Sequence, residues 1–244
     1  MIPIHERTEL LIGSAGLERL SRRHVLIAGL GGVGSYAAEA IARAGVGRMT
    51  LLDHDVVGPS NMNRQLVALH STVGRKKSEV MAERIRDINP DIRVDTISDF
   101  LSPGNVADMV PGRLDYALDC IDSIACKAAL VMFCQERRIP VASSMGAGGR
   151  LGPTALRVGS LGRTILCPLA RELRKRLRRM GGSLDYPVVY SAEQPVKGTE
   201  HRPLDGPPPG RPRSVNGTIS YLPPLFGFTL AGLVIRALLD ELAP

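Results

Sequence analysis

The sequence predicts an α/β fold, a Rossmann-like, doubly wound and mainly parallel sheet. Three observations carry this. Short apolar runs alternate with helical patterns from His24 to Ser144. The first run turns through GLGGVGS straight into an alanine-rich helix. Hydrophobic residues make up 44% of the 244, enough to bury a core of that size.

The elements follow in order. Residues 6 to 20 read as a short amphipathic helix, with Leu10, Leu17 and Leu20 at partly helical spacing. His24 to Gly29, HVLIAG, is a continuous apolar strand of the kind a parallel sheet buries on both faces. The helix SYAAEAIARAG closes at Gly45, and RMTLLD, Arg48 to Asp53, is the second strand. A polar stretch from His54 to Gly74 leads to a helix over Lys76 to Ile88, ended by Asn89-Pro90. IRVDTIS, a short helix near Asn105 to Met109, the strand LDYALDC, a helix from Ser123 to Arg137 and the strand IPVASS complete the alternation.

After Gly149 the pattern loosens. Residues 1 to 150 are therefore expected to form the Rossmann-like unit. Residues 151 to 244 are expected to form a C-terminal extension packed on the same domain. The extension holds a basic helix, a flexible loop from Gln194 to Arg213 dominated by proline and glycine, and an apolar terminal helix.

Composition narrows the function classes. Aromatics are 4% with no Trp, so binding does not rest on base-stacking platforms. Cys120, Cys126, Cys134 and Cys167 form no CxxC pair and no disulfide framework, which fits reduced thiols in a reducing cytoplasm. Of these, Cys167 reads as the one accessible thiol, and as structural. The charged amino end, MIPIHERTEL, does not suit a signal peptide. The apolar stretch Ile219 to Leu239 is interrupted by Pro223, Pro224 and Arg236. Its clean core, Leu225 to Ile235, falls short of the roughly 20 residues of a membrane span. A buried helix is expected there. The net charge of +7 favours an anionic partner, nucleotide or nucleic acid.

Gly29, Gly31 and Gly34 fit G-x-G-x-x-G between a strand and a helix, with Asp53 ending the next strand where a carboxylate can hold a ribose hydroxyl. On these residues alone, NAD or FAD is the first reading. The segments after the second strand point elsewhere: Asp53-His54-Asp55, then Ser60 to Gln65, then Val73 to Lys77. Arg64 can clamp phosphate oxygens with its fork and Lys77 can act as a point charge, as cleavage between α and β phosphates requires. Two solvated surface cations would leave the same trace. Asp122, in LDCIDS just past a strand end, can hold Mg²⁺ or can cap the next helix, and its position alone fits both.

Taken in order, GLGGVGS, LLDHD, SNMNRQ, VGRKK and LDCIDS resemble the ThiF/MoeB superfamily of ubiquitin-activating-enzyme-like adenylating enzymes. The resemblance implies that Gly32 and Asp53 contact ATP, with Gly29, Gly31, Gly34, Asp55, Asn63 and Ser123 in the same nucleotide site. It places Asn61 and Arg64 on the phosphates, Lys77 at the attacked α-phosphate, and Mg²⁺ on Asp122. It also implies a homodimer in which Arg7 reaches the partner's ATP site.

MAERIRDINP, LDCIDS followed by Lys127 to Leu130, GAGG at Gly146 to Gly149, and Cys167 to Ala170 resemble one branch, the tRNA threonylcarbamoyladenosine dehydratases. These use ATP to activate a carboxylate on a modified adenosine beside the anticodon, which then cyclises to a hydantoin. The missing CxxC pairs set the chain apart from the zinc-bearing sulfur-carrier enzymes. The helix LARELRKRLRR puts Leu169, Leu173 and Leu177 on one face. It leaves Arg171, Arg174, Lys175, Arg176, Arg178 and Arg179 for a phosphate backbone, unless the stripe is only a solvated basic face. Tyr186 stands where relatives often carry a cysteine. Activation of a sulfur-carrier protein's C-terminus and a non-catalytic nucleotide or tRNA scaffold are the alternatives. A cysteine desulfurase is a further expected partner.

Overall fold

The computed structural model describes residues 3–196 and 217–239. The proline-rich loop expected over residues 194 to 213 lies almost wholly outside them. Seven strands form one sheet: β1 (His24–Ala28), β2 (Arg48–Leu52), β3 (Arg93–Ile97), β4 (Tyr116–Asp119), β5 (Val141–Ser144), β6 (Leu156–Ser160) and β7 (Pro187–Ser191). Their order is β3-β2-β1-β4-β5-β7-β6. Every pairing is parallel except that of β6 with β7. The doubly wound, mainly parallel sheet is thus present, and it is wider than the alternation predicts. β6 and β7 fall where the pattern loosens, because β6 is a half-exposed edge strand with no continuous apolar run.

Helices cover both faces. α1 (Glu6–Ser21), α2 (Gly34–Arg43), α3 (Lys77–Ile88) and α7 (Leu222–Leu239) pack on one. α4 (Val106–Met109), α5 (Ile124–Glu136) and α6 (Pro168–Arg179) pack on the other. Strand side chains divide between them with period two: Val25 and Ile27 face the first core, Leu26 and Ala28 the second.

One helical expectation is corrected and another is met. Within α1, Gly13 adopts φ 72° and ψ 168°, so the helix kinks and the phase set by Leu17 and Leu20 is lost before Leu10. Leu17 and Leu20 are buried, whereas Leu10 is 85% exposed. In α6 the expected face is present: Leu173 and Leu177 are buried with Ala170, and the partly buried Leu169 packs against the same core.

α7 is long and apolar enough by length and composition to cross a membrane. Here it is a core helix. Phe226, Leu230, Ala231, Val234 and Leu238 are buried against the sheet and α2. Gly227 makes the close approach possible, since a Cβ there would lie 2.3 Å from the Val33 carbonyl oxygen.

Candidate functional site

The carboxyl ends of β1, β2 and β4 converge, the edge where open α/β sheets bind ligands. Gly29 leaves β1 with φ +89°, and a Cβ there would lie 2.8 Å from the Cys120 carbonyl oxygen. Gly34 is tighter still: its Cβ would fall 1.7 Å from the Gly29 carbonyl oxygen. Only glycine closes this turn and leaves the α2 amino end open to an anion. Gly31 is less crowded, with Gln65 Nε2 3.8 Å from its Cβ position. The Gln65 amide is itself buried beside the loop, and its Oε1 has no hydrogen-bond partner among the described residues.

Asp53 braces the loop from below. One oxygen of its carboxylate accepts the Leu30 N–H and the other the Asp55 N–H at 2.8 Å. Burial pushes the Asp53 carboxyl above the usual carboxylate range, against the opposing pull of Lys77 and these two amides. Both oxygens already accept a backbone amide, and each has a lone pair left for a ligand hydroxyl.

Lys77 is the first residue of α3. Its side chain is only 5% exposed, and its Nζ donates to Asp55 Oδ2 at 2.8 Å. The segment from Asp55 is folded back to meet it, with Val56 bridged to Lys76 and the Lys77 N–H donating to the Asp55 carbonyl. Lys77 is therefore not a solvated surface cation. Arg64 crosses the other side of the loop: its Cγ lies 3.3 Å from the Cβ position of Gly32, which Pro223 of α7 also approaches at 2.9 Å. Its guanidinium donates to the Ser60 carbonyl at 2.9 Å and to Asn63 Oδ1 at 2.8 Å. Half-burial draws its pKa down from the ordinary value, yet an arginine stays charged at neutral pH. Asn63 in turn donates to the Thr218 carbonyl, and Asn61 Oδ1 accepts the Gly58 N–H at 3.0 Å.

Asp122 lies in the β4–α5 turn, two residues after Cys120, which backs Gly29 and Gly34. It is exposed and makes no hydrogen bond or ion pair among the described residues. Ser123, not Asp122, is the N-cap residue of α5, and among the described residues no side chain caps that helix. The helix-capping role is thus not used. Asp53, His54 and Asp55 also bring ligand atoms within 4.8 Å of one another. Asp53 already accepts two amides there and Asp55 holds Lys77, whereas both carboxylate oxygens of Asp122 are unengaged among the described residues and could take a hard cation.

Arg7 is not brought beside the loop of its own chain. It is exposed, two residues from His5, whose ring packs 3.2 Å from the Cβ position of Gly45 at the amino-terminal end of the sheet. A cavity of about 390 Å³ lined by His5, Glu18, Gly45 and Asn89 opens at that same far end, away from the glycine loop.

Sequence reasoning missed a buried cluster under the turn. Lys127 is completely buried and donates to Asp119 Oδ2 at 2.8 Å, to the Ser144 carbonyl at 3.0 Å and to the Asp119 carbonyl at 3.3 Å. Ser143 Oγ donates to the same carboxylate at 2.6 Å and lies 3.3 Å from the Tyr186 hydroxyl. The signal was a charged pair, Asp119 and Lys127, eight apart inside apolar runs. Cys167 is buried, so the expectation of an accessible thiol there is corrected. Cys120 is the one of the four that is not wholly buried, yet its thiol is desolvated, which pushes it up to about 12.

On α6, Arg171, Lys175, Arg176, Arg178 and Arg179 are exposed, while the Arg174 guanidinium turns back to Thr164.

The profile of the ThiF family matches residues 5–242. The chain belongs to the ThiF family. Within it, the tRNA threonylcarbamoyladenosine dehydratase of Escherichia coli K12 is 45% identical over 193 residues, 76% of this chain and 72% of the relative. The Bacillus subtilis 168 protein of the same name is 37% identical over 246 residues, 99% of this chain and 97% of the relative. The crystal structure of the E. coli dehydratase TcdA with AMP superposes at a TM-score of 0.88 with 39% identity, covering 98% of this chain and 94% of that one. The same protein with ATP gives 0.87. This ThiF-family chain thus shares fold and sequence over nearly its full length with an enzyme solved with ATP and with AMP.

Proposed function

We propose that this chain catalyses the ATP-dependent dehydration of threonylcarbamoyladenosine in tRNA to its cyclic hydantoin, through an acyl-adenylate. The observation that carries the reading is a glycine loop with Arg64 packed against Gly32 on one side and Lys77, held by Asp55, beside the Asp53 that braces the loop, in a chain 37% identical over 99% of its length to a relative of that name. The substrate carboxylate attacks the α-phosphorus of ATP and pyrophosphate leaves. A nitrogen of the substrate's own carbamoyl group then attacks the activated carbonyl, and AMP leaves carrying the lost oxygen.

The residues divide this work by charge and position. The amides of the glycine loop and the α2 amino end hold phosphate, and Asp53 keeps the loop in place while facing the ribose. Lys77, held by Asp55, sets a buried positive charge where negative charge develops at the α-phosphorus. Arg64 spans the phosphates, with Asn61 and Asn63 beside it. Asp122 would hold Mg²⁺, which offsets phosphate charge when bound. Arg7 completes the site of a second copy, making the working enzyme a homodimer. The exposed cations of α6 carry the tRNA backbone, in the cytoplasm where tRNA is used.

Activation of a sulfur-carrier protein has specific support, since the sulfur carrier protein ThiS adenylyltransferase of E. coli is 38% identical over 138 residues. Exchange of labelled pyrophosphate into ATP separates the two readings. Exchange that needs the modified tRNA supports dehydration, whereas exchange that needs a carrier protein with a free C-terminal glycine overturns it. Repeating the exchange with a cysteine desulfurase present tests whether a sulfur-transfer partner takes part.

A further inference from the structure

The cluster of Lys127, Asp119, Ser143 and Tyr186 lies beneath the site, and none of its side chains faces solvent. Both charges of the pair are fully buried. A buried ion pair is a poor way to gain stability, because desolvating two charges offsets most of their attraction, and an apolar pair of similar volume does as well. What this pair supplies that an apolar one cannot is direction. Three bonds from one ammonium group tie the end of β4 to the end of β5, and Asp119 Oδ1 accepts the Ile121 N–H at 3.2 Å inside the turn that follows. That turn does two things. Its Cys120 is the wall on which Gly29 and Gly34 close, and its next-but-one residue is Asp122.

We infer that Lys127, with Asp119 and Ser143, is a positioning unit that fixes the Asp119–Ser123 turn, so that Asp122 meets the magnesium of a bound MgATP at the correct place. This rests on the reading of Asp122 as the metal-side carboxylate. Residues that orient metal ligands from behind typically change metal affinity or activity about 10- to 100-fold when removed. The test measures ATP affinity by calorimetry with magnesium and again in chelator, together with melting temperature, on the full chain.

In the double variant Lys127→Met with Asp119→Asn, both charges go and neither is left unpaired. The expected result is a folded protein whose ATP affinity in chelator is unchanged, while the gain from magnesium falls about tenfold. Ser143→Ala, a gentler change, shows the same loss to a smaller degree and carries the test should the double variant not fold. Variants that melt earlier yet keep the wild-type magnesium gain overturn the inference and leave the cluster a packing feature. Asp122→Asn separates the underlying reading. A wild-type gain there removes the assignment of Asp122. A lost gain there, with a wild-type gain in the double variant, overturns the role of Lys127 alone.

Discussion

At the residue scale the glycine loop is a steric device before it is a binding site. A Cβ on Gly34 would sit 1.7 Å from a backbone oxygen, and no side-chain movement relieves that. Gly34→Ala should therefore open the turn and abolish measurable ATP binding, whereas Gly31→Ala, whose Cβ finds 3.8 Å of room, should retain most of it. Calorimetry on the two proteins checks the contrast. Lys77 is chemical rather than steric. Replacing it by Met keeps the buried stem and removes the charge, so kcat should fall about 10²- to 10³-fold, the usual effect of losing one preorganised contact to developing charge. Single-turnover rates measure it.

Much of this was legible residue by residue, because Gly29, Gly34, Asp53, Arg64 and Lys77 sit in short motifs whose spacing is set by one strand and one turn. Lys127 was not. A single lysine in a helix looks in sequence like any helix-surface lysine, and only the folded ends of β4 and β5, where its ammonium finds its partners, show that it is buried.

At the element scale, α2 joins α3 through one acid. Glu39 accepts from Arg84 of α3 at 2.6 Å and from Arg43 of its own helix at 2.8 Å. Burial alone would raise its carboxyl, but the hydrogen bonds from Arg84 and Arg43 prevail and hold it below the ordinary 4.5. The sign follows by linkage. A folded carboxyl held below its unfolded value stabilises above that value, and the stability is lost as pH falls through the depressed one. Acid unfolding monitored by circular dichroism should thus show wild-type protein losing stability below about pH 4.5. Glu39→Gln should be weaker at neutral pH and flatter across that range.

The seam between α2 and α7 was half readable. The sequence marks α7 as an apolar helix, yet the need for Gly227 appears only once Val33 lies against it. Phe226→Ala, at a fully buried site, should cost about 3–5 kcal/mol in denaturant unfolding. β6 and β7 were not readable, since an exposed edge strand and a five-residue partner leave too little period-two signal.

At the scale of the whole molecule, the net charge of +7 is unevenly spread, and α6 gathers five exposed cations on a helix whose other face is buried. Reversing Arg171, Lys175 and Arg178 to Glu should weaken tRNA binding and lower the salt slope by roughly one unit per lost phosphate contact, leaving ATP affinity intact. Filter binding across a salt series measures this. The fold class was plain from the alternation of strand and helix, the family from the order of its motifs, and the branch from MAERIRDINP, LDCIDS with Lys127 to Leu130, GAGG and the segment Cys167 to Ala170.

The central claim is the reaction itself. Its most direct test is to incubate the purified protein with ATP, magnesium and threonylcarbamoyladenosine-bearing tRNA, digest the tRNA and weigh the nucleosides. The account predicts that the modified adenosine loses the mass of one water, with one AMP formed for each molecule converted. An unchanged nucleoside beside an active control enzyme would contradict it.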